Sequence, residues 1–181
     1  MIILLNGPPG SGKDTVGKYI AEKYGNCTIE KFALPIKKMI QTVFNLTPEQ
    51  FEYVDSQKNK NSPQELLCGK SSREIQIEFA ENFMKKTFDN TIFSKLLVKR
   101  LNCDKNVVIP VTDLGFHSEI DHIVESRGDV IVVHLHRENC RFINRSYVRH
   151  PNACRNYRID NDFSLEVLYK NIDTFMHTLG F

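Results

Sequence analysis

Short apolar runs alternate along this chain with segments whose apolar residues recur at helical spacing. Short apolar runs bounded by turn residues are typical of buried strands, and strands that alternate with helices are typical of a mostly parallel sheet covered by helices. Strands are predicted at residues 2–5, 27–32, 107–111, 130–135 and 157–159. The pattern therefore predicts an α/β fold with a five-stranded parallel sheet.

Two helices are indicated by their apolar positions, and two more by their first residues. Helical spacing is followed by Ile36, Met39, Ile40, Val43 and Phe44, and again by Leu165, Leu168, Tyr169, Ile172, Phe175, Met176 and Leu179. Residues 47–50 (TPEQ) and 71–74 (SSRE) are capping-box sequences, which begin helices. The strand positions leave a long interruption at 33–104 and a short one at 137–156 in one sheet domain, and the core is predicted at 1–32, 105–136 and 157–181.

Composition and charge exclude several classes of protein. The 181 residues are 41% hydrophobic and 25% charged, which fits one globular domain, and the net charge of +2 is too small for a general nucleic-acid coat. Five cysteines without a C-x-x-C pair argue against a secreted disulfide framework and favour a reducing cytoplasm. The first apolar run is too short for a signal-peptide core, and none approaches the roughly 20 residues of a membrane span.

The strongest motif is residues 7–15 (GPPGSGKDT), which lie between a predicted strand and a predicted helix. This is a P-loop in its required context: the glycines let the main chain approach phosphate oxygens, and the N–H groups converge at the positive end of the helix dipole. Lys13 adds a positive charge for the β- and γ-phosphates. The residues predicted to bind ATP in this loop are Gly10, Ser11, Gly12, Lys13, Asp14 and Thr15.

The loop departs from the general P-loop pattern at one position. Asp14 follows the lysine where a serine or threonine is usual, and the hydroxyl comes one residue later, at Thr15. Asp14 has two interpretations: it holds the water shell of Mg²⁺, or it complements the helix dipole in the first turn. Asp113, at the end of a predicted strand, has three interpretations. It binds that water shell, it accepts a hydrogen bond from the second substrate, which would accept the phosphate of ATP, or it is an ordinary strand-end aspartate in a turn.

Positive charge is concentrated in one short region. Residues 137–158 contain one acid, Glu138, and six arginines, at 137, 141, 145, 149, 155 and 158. The first four recur at every fourth residue, so on a helix they form one stripe, which an anion such as ATP would stabilise. The other interpretation is a solvated cationic face that binds nothing.

Two further groups of residues have competing interpretations. His136, Cys140, His150 and Cys154 are spaced as a zinc site would require, although the surrounding arginines oppose a divalent cation. Phe79, Phe83, Phe88 and Phe93 are interpreted as core of the first interruption, with base stacking as the alternative.

Several short motifs, in order, resemble the phage deoxynucleoside monophosphate kinases, within the wider P-loop nucleoside monophosphate kinases. The P-loop with aspartate after lysine resembles theirs, as do residues 32–37 (FALPIK), the R-x-x-Q at Arg73 and Gln76, and residues 161–165 (NDFSL). Asp113 and Glu119 fit the family's D-x-R-x-x-x-E spacing, but Gly115 stands where the arginine is expected. Arg137 follows the fourth predicted strand as the family's arginine does.

The resemblance implies a cytoplasmic kinase, in the host cytoplasm if viral, that transfers the γ-phosphate of ATP, with Mg²⁺, to a deoxynucleoside 5′-monophosphate. It implies that the insertion at 33–104 holds the acceptor and that 137–156 closes as a lid. Lys13, Arg137 and Asp113 would be catalytic. Arg137 and Arg141 would bind ATP. The acceptor would contact Lys37, Arg73, Gln76, Asp113 and Glu119, while Asp14 and Asp113 would hold Mg²⁺ through water.

Two alternatives remain at this stage: a P-loop kinase of a non-nucleotide molecule, resembling phosphomevalonate kinases, and a nucleotide-binding protein that has lost turnover with the arginine at 115. The expected partners are small-molecule nucleotides, and we expect no binding to nucleic acid or to membranes. The sequence leaves open whether the chain forms a homodimer.

Overall fold

The chain was analysed as a computed structural model, which describes residues 1–25, 29–101 and 107–181. It divides into two compact units: residues 1–32 with 97–181, and residues 33–96. The first unit contains the sheet, and the second is helical. The predicted roles of the regions 33–104 and 137–156 stay predictions.

The first unit is built on a parallel sheet in the order β2-β1-β3-β4. The strands are β1 (Ile2–Asn6), β2 (Ile109–Val111), β3 (Val130–His136) and β4 (Asn156–Asp160). Its helices are α1 (Lys13–Ile20), which continues as a π-helical turn over Ala21–Gly25, α7 (His117–Ser126) and α8 (Leu165–Thr178). The α/β fold with a parallel sheet is therefore confirmed.

The prediction of five strands is wrong for the described residues, which form a sheet of four. Of the predicted strand at 27–32, residues 27 and 28 lie outside the described residues, and Glu30 makes a single parallel bridge to Val111. The pairing does not continue because the N–H of Phe32 donates to the carboxylate of Asp113 at 2.8 Å instead of to a strand. The predicted strand at 107–111 is shorter than expected, at Ile109–Val111.

The core of the first unit lies between one face of the sheet and the helices α1 and α8. Alternate residues of β1, Ile3 and Leu5, are fully buried there with Val16 and Ile20 of α1 and Ile172 of α8. The other residues of β1, including Ile2 and Leu4, point to the opposite face and are also fully buried. A sheet buried on both faces explains why its strands are continuously apolar in the sequence.

The second unit contains α2 (Leu34–Val43), α3 (Pro48–Asp55), α4 (Ser72–Ile77) and the short α5 (Lys85–Thr87), with a π-helical segment over Glu78–Met84. The helix α6 (Ile92–Arg100) contains the division between the units. Both predicted capping boxes are confirmed, with Thr47 capping α3 and Ser71 capping α4. None of the helices in the described residues combines the length and apolar character needed to cross a bilayer.

The aromatic residues of the second unit correct one interpretation. Phe93 is buried, but Phe83 and Phe88 are 49% and 58% exposed, so the assignment of these two to the core is wrong. Phe79 and Phe83 stack on each other with ring centroids 5.0 Å apart, at one side of a cavity of about 750 Å³. The π-helical segment that carries both rings places them together on the surface of the unit.

Candidate functional site

The P-loop occupies the turn between β1 and α1, as the sequence predicts. Gly10 and Gly12 have φ values of +81° and +95°, a region that residues with a Cβ rarely adopt, and Gly12 is the N-cap residue that directly precedes α1. The first N–H groups of a helix have no partner within the helix, and the helix dipole makes its N-terminus positive. This end of α1 is therefore suited to bind an anion.

Lys13 lies across its own loop. Its Nζ donates to the carbonyl oxygens of Gly7 at 2.7 Å and of Pro8 at 2.9 Å. These contacts hold the ammonium group beside the residues that enter the turn. The hydroxyl of Ser11, in contrast, is fully buried and has no hydrogen-bond partner in the described part of the chain.

Two side chains that directly follow the strands β3 and β4 contact the P-loop. Arg137, directly after β3, donates from Nη1 to the carbonyl of Gly10 at 3.1 Å. Asn161, directly after β4, donates from Nδ2 to the carbonyl of Ser11 at 2.9 Å and is 9% exposed. Neighbouring parallel strands end at the same edge of the sheet, which is where α/β proteins bind ligands. The tertiary structure thus places an arginine and an amide against the loop.

A cavity of about 530 Å³ lies beside the loop, and its lining includes Pro8, Arg137 and Arg141. His136 and Tyr147 form part of its wall, with their rings stacked at 4.4 Å between centroids. Burial and the nearby Arg158 hold the pKa of His136 below its usual value, so the ring is neutral at pH 7. The cavity combines aromatic surface with guanidinium groups, which suits a ligand that has both a flat ring and negative charge.

The Arg-rich segment, residues 137–156, contains no α-helix, so its arginines do not form the single stripe that they would form on a helix. Before β4 begins at Asn156, its regular structure is a 3₁₀ turn at Ala153–Arg155, and repeated positive charges without carboxylate partners disfavour a helix. In the segment 137–158, the only arginine with a carboxylate partner among the described residues is Arg158, which pairs with Asp160 at 2.6 Å. The segment is cationic, as its sequence indicates, but its arginines are not arranged along one helix face.

The zinc interpretation is not supported by the structure. His136, Cys140, His150 and Cys154 are all described, and no group of three or more His, Cys, Asp and Glu side chains among the described residues is arranged to hold a metal ion. His150 instead accepts a hydrogen bond at Nδ1 from the N–H of Asn152, at 2.9 Å. Cys140 is a free thiol whose Sγ is 3.3 Å from the position that a Cβ on Gly10 would occupy.

The two predicted magnesium residues lie near the same strand end. Oδ1 of Asp14 accepts from Nζ of Lys31 at 2.7 Å and from the hydroxyl of Thr112 at 2.6 Å, and Asp113 is the next residue along the chain. Carboxylates of this kind can hold Mg²⁺ through water, but Oδ1 of Asp14 is here paired with the ammonium group of Lys31, and the predicted magnesium role of Asp14 and Asp113 stays a prediction. Thr15 is exposed on the first turn of α1.

Glu119 holds the turn that follows β2 through hydrogen bonds to the main chain. Its Oε2 accepts hydrogen bonds from the N–H groups of Gly115 at 2.8 Å and Phe116 at 3.0 Å, and the residue is buried. Glu119 therefore fixes the turn that follows β2. Its predicted contact with an acceptor stays a prediction.

Three other predicted acceptor residues lie in the second unit, where Asp55 organises two of them. Asp55 pairs with Lys37 at 2.6 Å and accepts from Gln76 at 2.6 Å and from the hydroxyl of Ser72 at 2.8 Å. We call these four residues the Asp55 cluster. Arg73 is exposed, and its N–H donates to the carbonyl of Lys60.

Sequence reasoning missed two residues of these arrangements, Asn6 and Asp55. Asn6 is fully buried at the end of β1, donates from Nδ2 to the carbonyl of Leu114 at 2.8 Å, and accepts at Oδ1 from the N–H of Val148 at 2.9 Å. A polar residue that ends a buried strand beside a P-loop was the available signal for Asn6. Asp55 had none, because it begins a long polar stretch.

Comparisons with known proteins give distant structural likenesses. No protein-family model matches the chain, and no curated protein matches it significantly. Among solved structures, a gluconokinase from Sinorhizobium meliloti is 13% identical with a TM-score of 0.48, covering 98% of this chain and 91% of its own. A sugar kinase from Janibacter is 15% identical with a TM-score of 0.43, over 97% and 94%. A shikimate kinase from Bacteroides thetaiotaomicron is 14% identical with a TM-score of 0.43, over 100% and 99%.

Proposed function

We propose that this chain is an ATP-dependent kinase that transfers the γ-phosphate of ATP to a deoxynucleoside 5′-monophosphate. The observation that carries the proposal is the convergence of two cations on one loop: Lys13 on the carbonyls of Gly7 and Pro8, and Arg137 on the carbonyl of Gly10. Both lie at the N-terminus of α1, where main-chain N–H groups and the helix dipole favour phosphate.

Phosphoryl transfer depends mainly on positioning and on neutralising charge, and these residues supply positive charge of the kind that the reaction needs, which supports the proposal. The N–H groups of the P-loop and Lys13 would hold the β- and γ-phosphates. Arg137, with Arg141 in the adjoining cavity, would neutralise charge on the phosphoryl group as it moves. Bound Mg²⁺, held through water by Asp14 and Asp113, would supply further positive charge to the phosphates.

In the reaction, an oxygen of the acceptor phosphate forms a bond to the γ-phosphorus of ATP. The bond from that phosphorus to the β,γ-bridging oxygen breaks, and ADP leaves with the electron pair. Asp113 follows β2 at the same sheet edge as the P-loop, which supports a role on the acceptor side. Lys37, Arg73 and Gln76 are proposed acceptor residues on the resemblance of their motifs alone.

The test is a coupled ADP-release assay with ATP, Mg²⁺ and the deoxynucleoside and ribonucleoside 5′-monophosphates in turn. We expect turnover with at least one deoxynucleotide, and we expect Lys13→Ala to reduce kcat by roughly 100- to 1,000-fold. Lys18→Ala is the matched control, because Lys18 lies on the same helix but is exposed, and its ion pair within the described residues is with Glu22. Its activity should match the wild type.

Other results would exclude the proposal in different ways. Turnover with a phosphorylated non-nucleotide, but with no nucleotide, would identify the alternative kinase. If ADP raises the melting temperature in a Lys13-dependent manner and no acceptor is phosphorylated, the protein binds nucleotide without turnover. Absence of any ADP or ATP binding in magnesium buffer would overturn the proposal completely.

A further inference from the structure

Gly115 is a glycine whose main-chain conformation does not require one. The described glycines with positive φ are Gly10, Gly12, Gly69 and Gly180, and Gly115 is not among them. A Cβ at this position would instead lie 2.7 Å from Nη1 and 3.5 Å from Cζ of Arg145. The glycine therefore leaves a space that the guanidinium group of Arg145 fills.

Arg145 is held in this space by an aromatic ring. Its Cζ lies 4.4 Å from the ring centroid of Phe116, a cation–π contact, and Phe116 is the residue after Gly115. The turn that carries Phe116 is fixed in turn by the carboxylate of Glu119. The guanidinium group thus rests on a defined surface.

The chain after Arg145 is anchored by hydrogen bonds to three strand residues. The hydroxyl of Tyr147 donates to the carbonyl of Leu135 at 3.0 Å, and Nε2 of His134 donates to the carbonyl of Val148 at 2.8 Å. Asn6 accepts from the N–H of Val148 and also donates to the carbonyl of Leu114, the neighbour of Gly115. The buried side chain of Asn6 therefore holds both the turn that contains Gly115 and the segment that contains Arg145.

The charge of Arg145 is not neutralised within the described residues, since the guanidinium makes no ion pair there. Two oxygens of a phosphate match a planar guanidinium, so such a group is well suited to bind a phosphate monoester. The side chain is exposed and accessible to a ligand.

The sheet order separates this cation from those on the P-loop. Arg137 follows β3, on one side of β1, whereas Gly115 follows β2, on the other side. Neighbouring strands lie about 4.8 Å apart, so an anion at Arg145 would lie on the β2 side of the triphosphate site. That is the same side as Asp113.

We propose that Arg145 binds the phosphate of the acceptor, and that Gly115 is the residue that makes room for it. This inference rests on the proposed function for the identity of the acceptor, but not for the existence of an anion site. The guanidinium group of Arg145, in the Arg-rich segment, would then replace the arginine side chain that the family resemblance leads us to expect at position 115. By neutralising the acceptor phosphate, it would reduce repulsion toward the γ-phosphate of ATP.

The first test measures binding of inorganic phosphate by isothermal titration while the P-loop is saturated with ADP and Mg²⁺. We expect Arg145→Ala to weaken phosphate binding by roughly 10- to 100-fold, as loss of a charged hydrogen-bonding group does, and Arg145→Lys to weaken it less. ADP affinity should be unchanged in both. Lys170→Ala, which removes an exposed positive charge from α8, is the control and should bind phosphate normally.

The second test uses steady-state kinetics and moves the cation. Arg145→Ala should raise KM for the deoxynucleoside monophosphate far more than KM for ATP. Because the main chain at 115 accepts a side chain, Gly115→Arg combined with Arg145→Ala should recover part of the lost affinity. Failure of this double variant to recover any affinity would overturn the claim that Gly115 and Arg145 are interchangeable positions for one cation.

The outcomes separate this inference from the proposed function. If phosphate binds in an Arg145-dependent manner but no nucleotide is phosphorylated, the anion site stands and the acceptor assignment fails. If a deoxynucleotide is phosphorylated equally well by Arg145→Ala, with unchanged KM values, the function stands and the role of Arg145 is wrong.

Discussion

The side-chain amide of Asn161 donates a hydrogen bond to the main-chain carbonyl of Ser11, which lies 150 residues earlier in the chain, at a distance of 2.9 Å. Gly12, the next residue, makes this approach feasible, because a Cβ there would lie only 2.5 Å from Nδ2 of Asn161. The turn after β4 thus fixes the shape of the P-loop at the point where α1 begins.

Asn161→Ala should destabilise the protein by about 1–2 kcal/mol, since it removes a buried hydrogen bond and leaves the Ser11 carbonyl without that donor. The same variant should show a smaller rise in melting temperature on adding ADP. Urea denaturation and thermal melting with and without ADP measure both effects. Asn90→Ala, at an exposed position, is the control; equal behaviour of the two variants would contradict the assigned role.

Gly12→Ala should also destabilise the protein, by about 1–3 kcal/mol, because an alanine is strained in the left-handed region and its Cβ displaces Asn161. In this background the further change Asn161→Ala should cost less than it does in the wild type, and a double-mutant cycle measures the difference. Gly128→Ala is the matched control, because open space surrounds its Cβ position. Strict additivity of the two changes would show that the residues are not coupled.

Asp55→Ala should destabilise the second unit by about 2–4 kcal/mol, because it leaves Lys37, Ser72 and Gln76 without their shared acceptor in a largely buried site. Chemical denaturation followed by hydrogen exchange of amides in α3 and α4 locates the effect. The control is Glu52→Ala, which removes an exposed carboxylate from the same helix. Similar losses in both variants would mean that the Asp55 cluster contributes no special stability.

Cys140 should react with a thiol reagent more slowly when ADP and Mg²⁺ are bound. Its Sγ faces Gly10, so phosphates on the P-loop would restrict access to it. Cys68 and Cys154 are exposed and should react at rates that ADP does not change. Peptide mapping by mass spectrometry distinguishes these thiols, and unaltered labelling of Cys140 at saturating ADP would place the nucleotide elsewhere.

The stability of the fold should fall as the pH is lowered through the histidine range. Burial holds the pKa values of His134, His136 and His150 below their ordinary value of 6.5, so the unfolded chain takes up protons before the folded chain does. Stability is therefore lost as the pH falls from 6.5 toward the folded-state pKa values.

Urea denaturation between about pH 7.5 and about pH 5.5 tests this dependence. His134→Gln should reduce the slope, because it removes the most buried of the three imidazoles, whereas His177→Gln, on the exposed side of α8, should not. A free energy of unfolding that rises on acidification across this range would contradict the assigned direction.

The sequence alone determined the alternation of strands and helices, the position of the P-loop and both capping boxes. Each of these depends on residues close together in the chain: the continuous apolar run of β1, the glycines that permit positive φ at 10 and 12, and Thr47 with Gln50. Local patterns failed where charge and tertiary contacts decided the outcome. The prediction of a strand through residue 32 failed because the N–H of Phe32 donates to Asp113 instead of extending a strand.

Only the tertiary structure decided which distant side chains serve the site. Asn6 holds Leu114 and Val148, Asn161 holds Ser11, and Arg145 fills the space beside Gly115. None of these pairings leaves a trace in local spacing, because each joins segments that meet only where parallel strands end at one edge of the sheet. Gly115 is visible in the sequence, but packing alone places the guanidinium group of Arg145 in the space beside it.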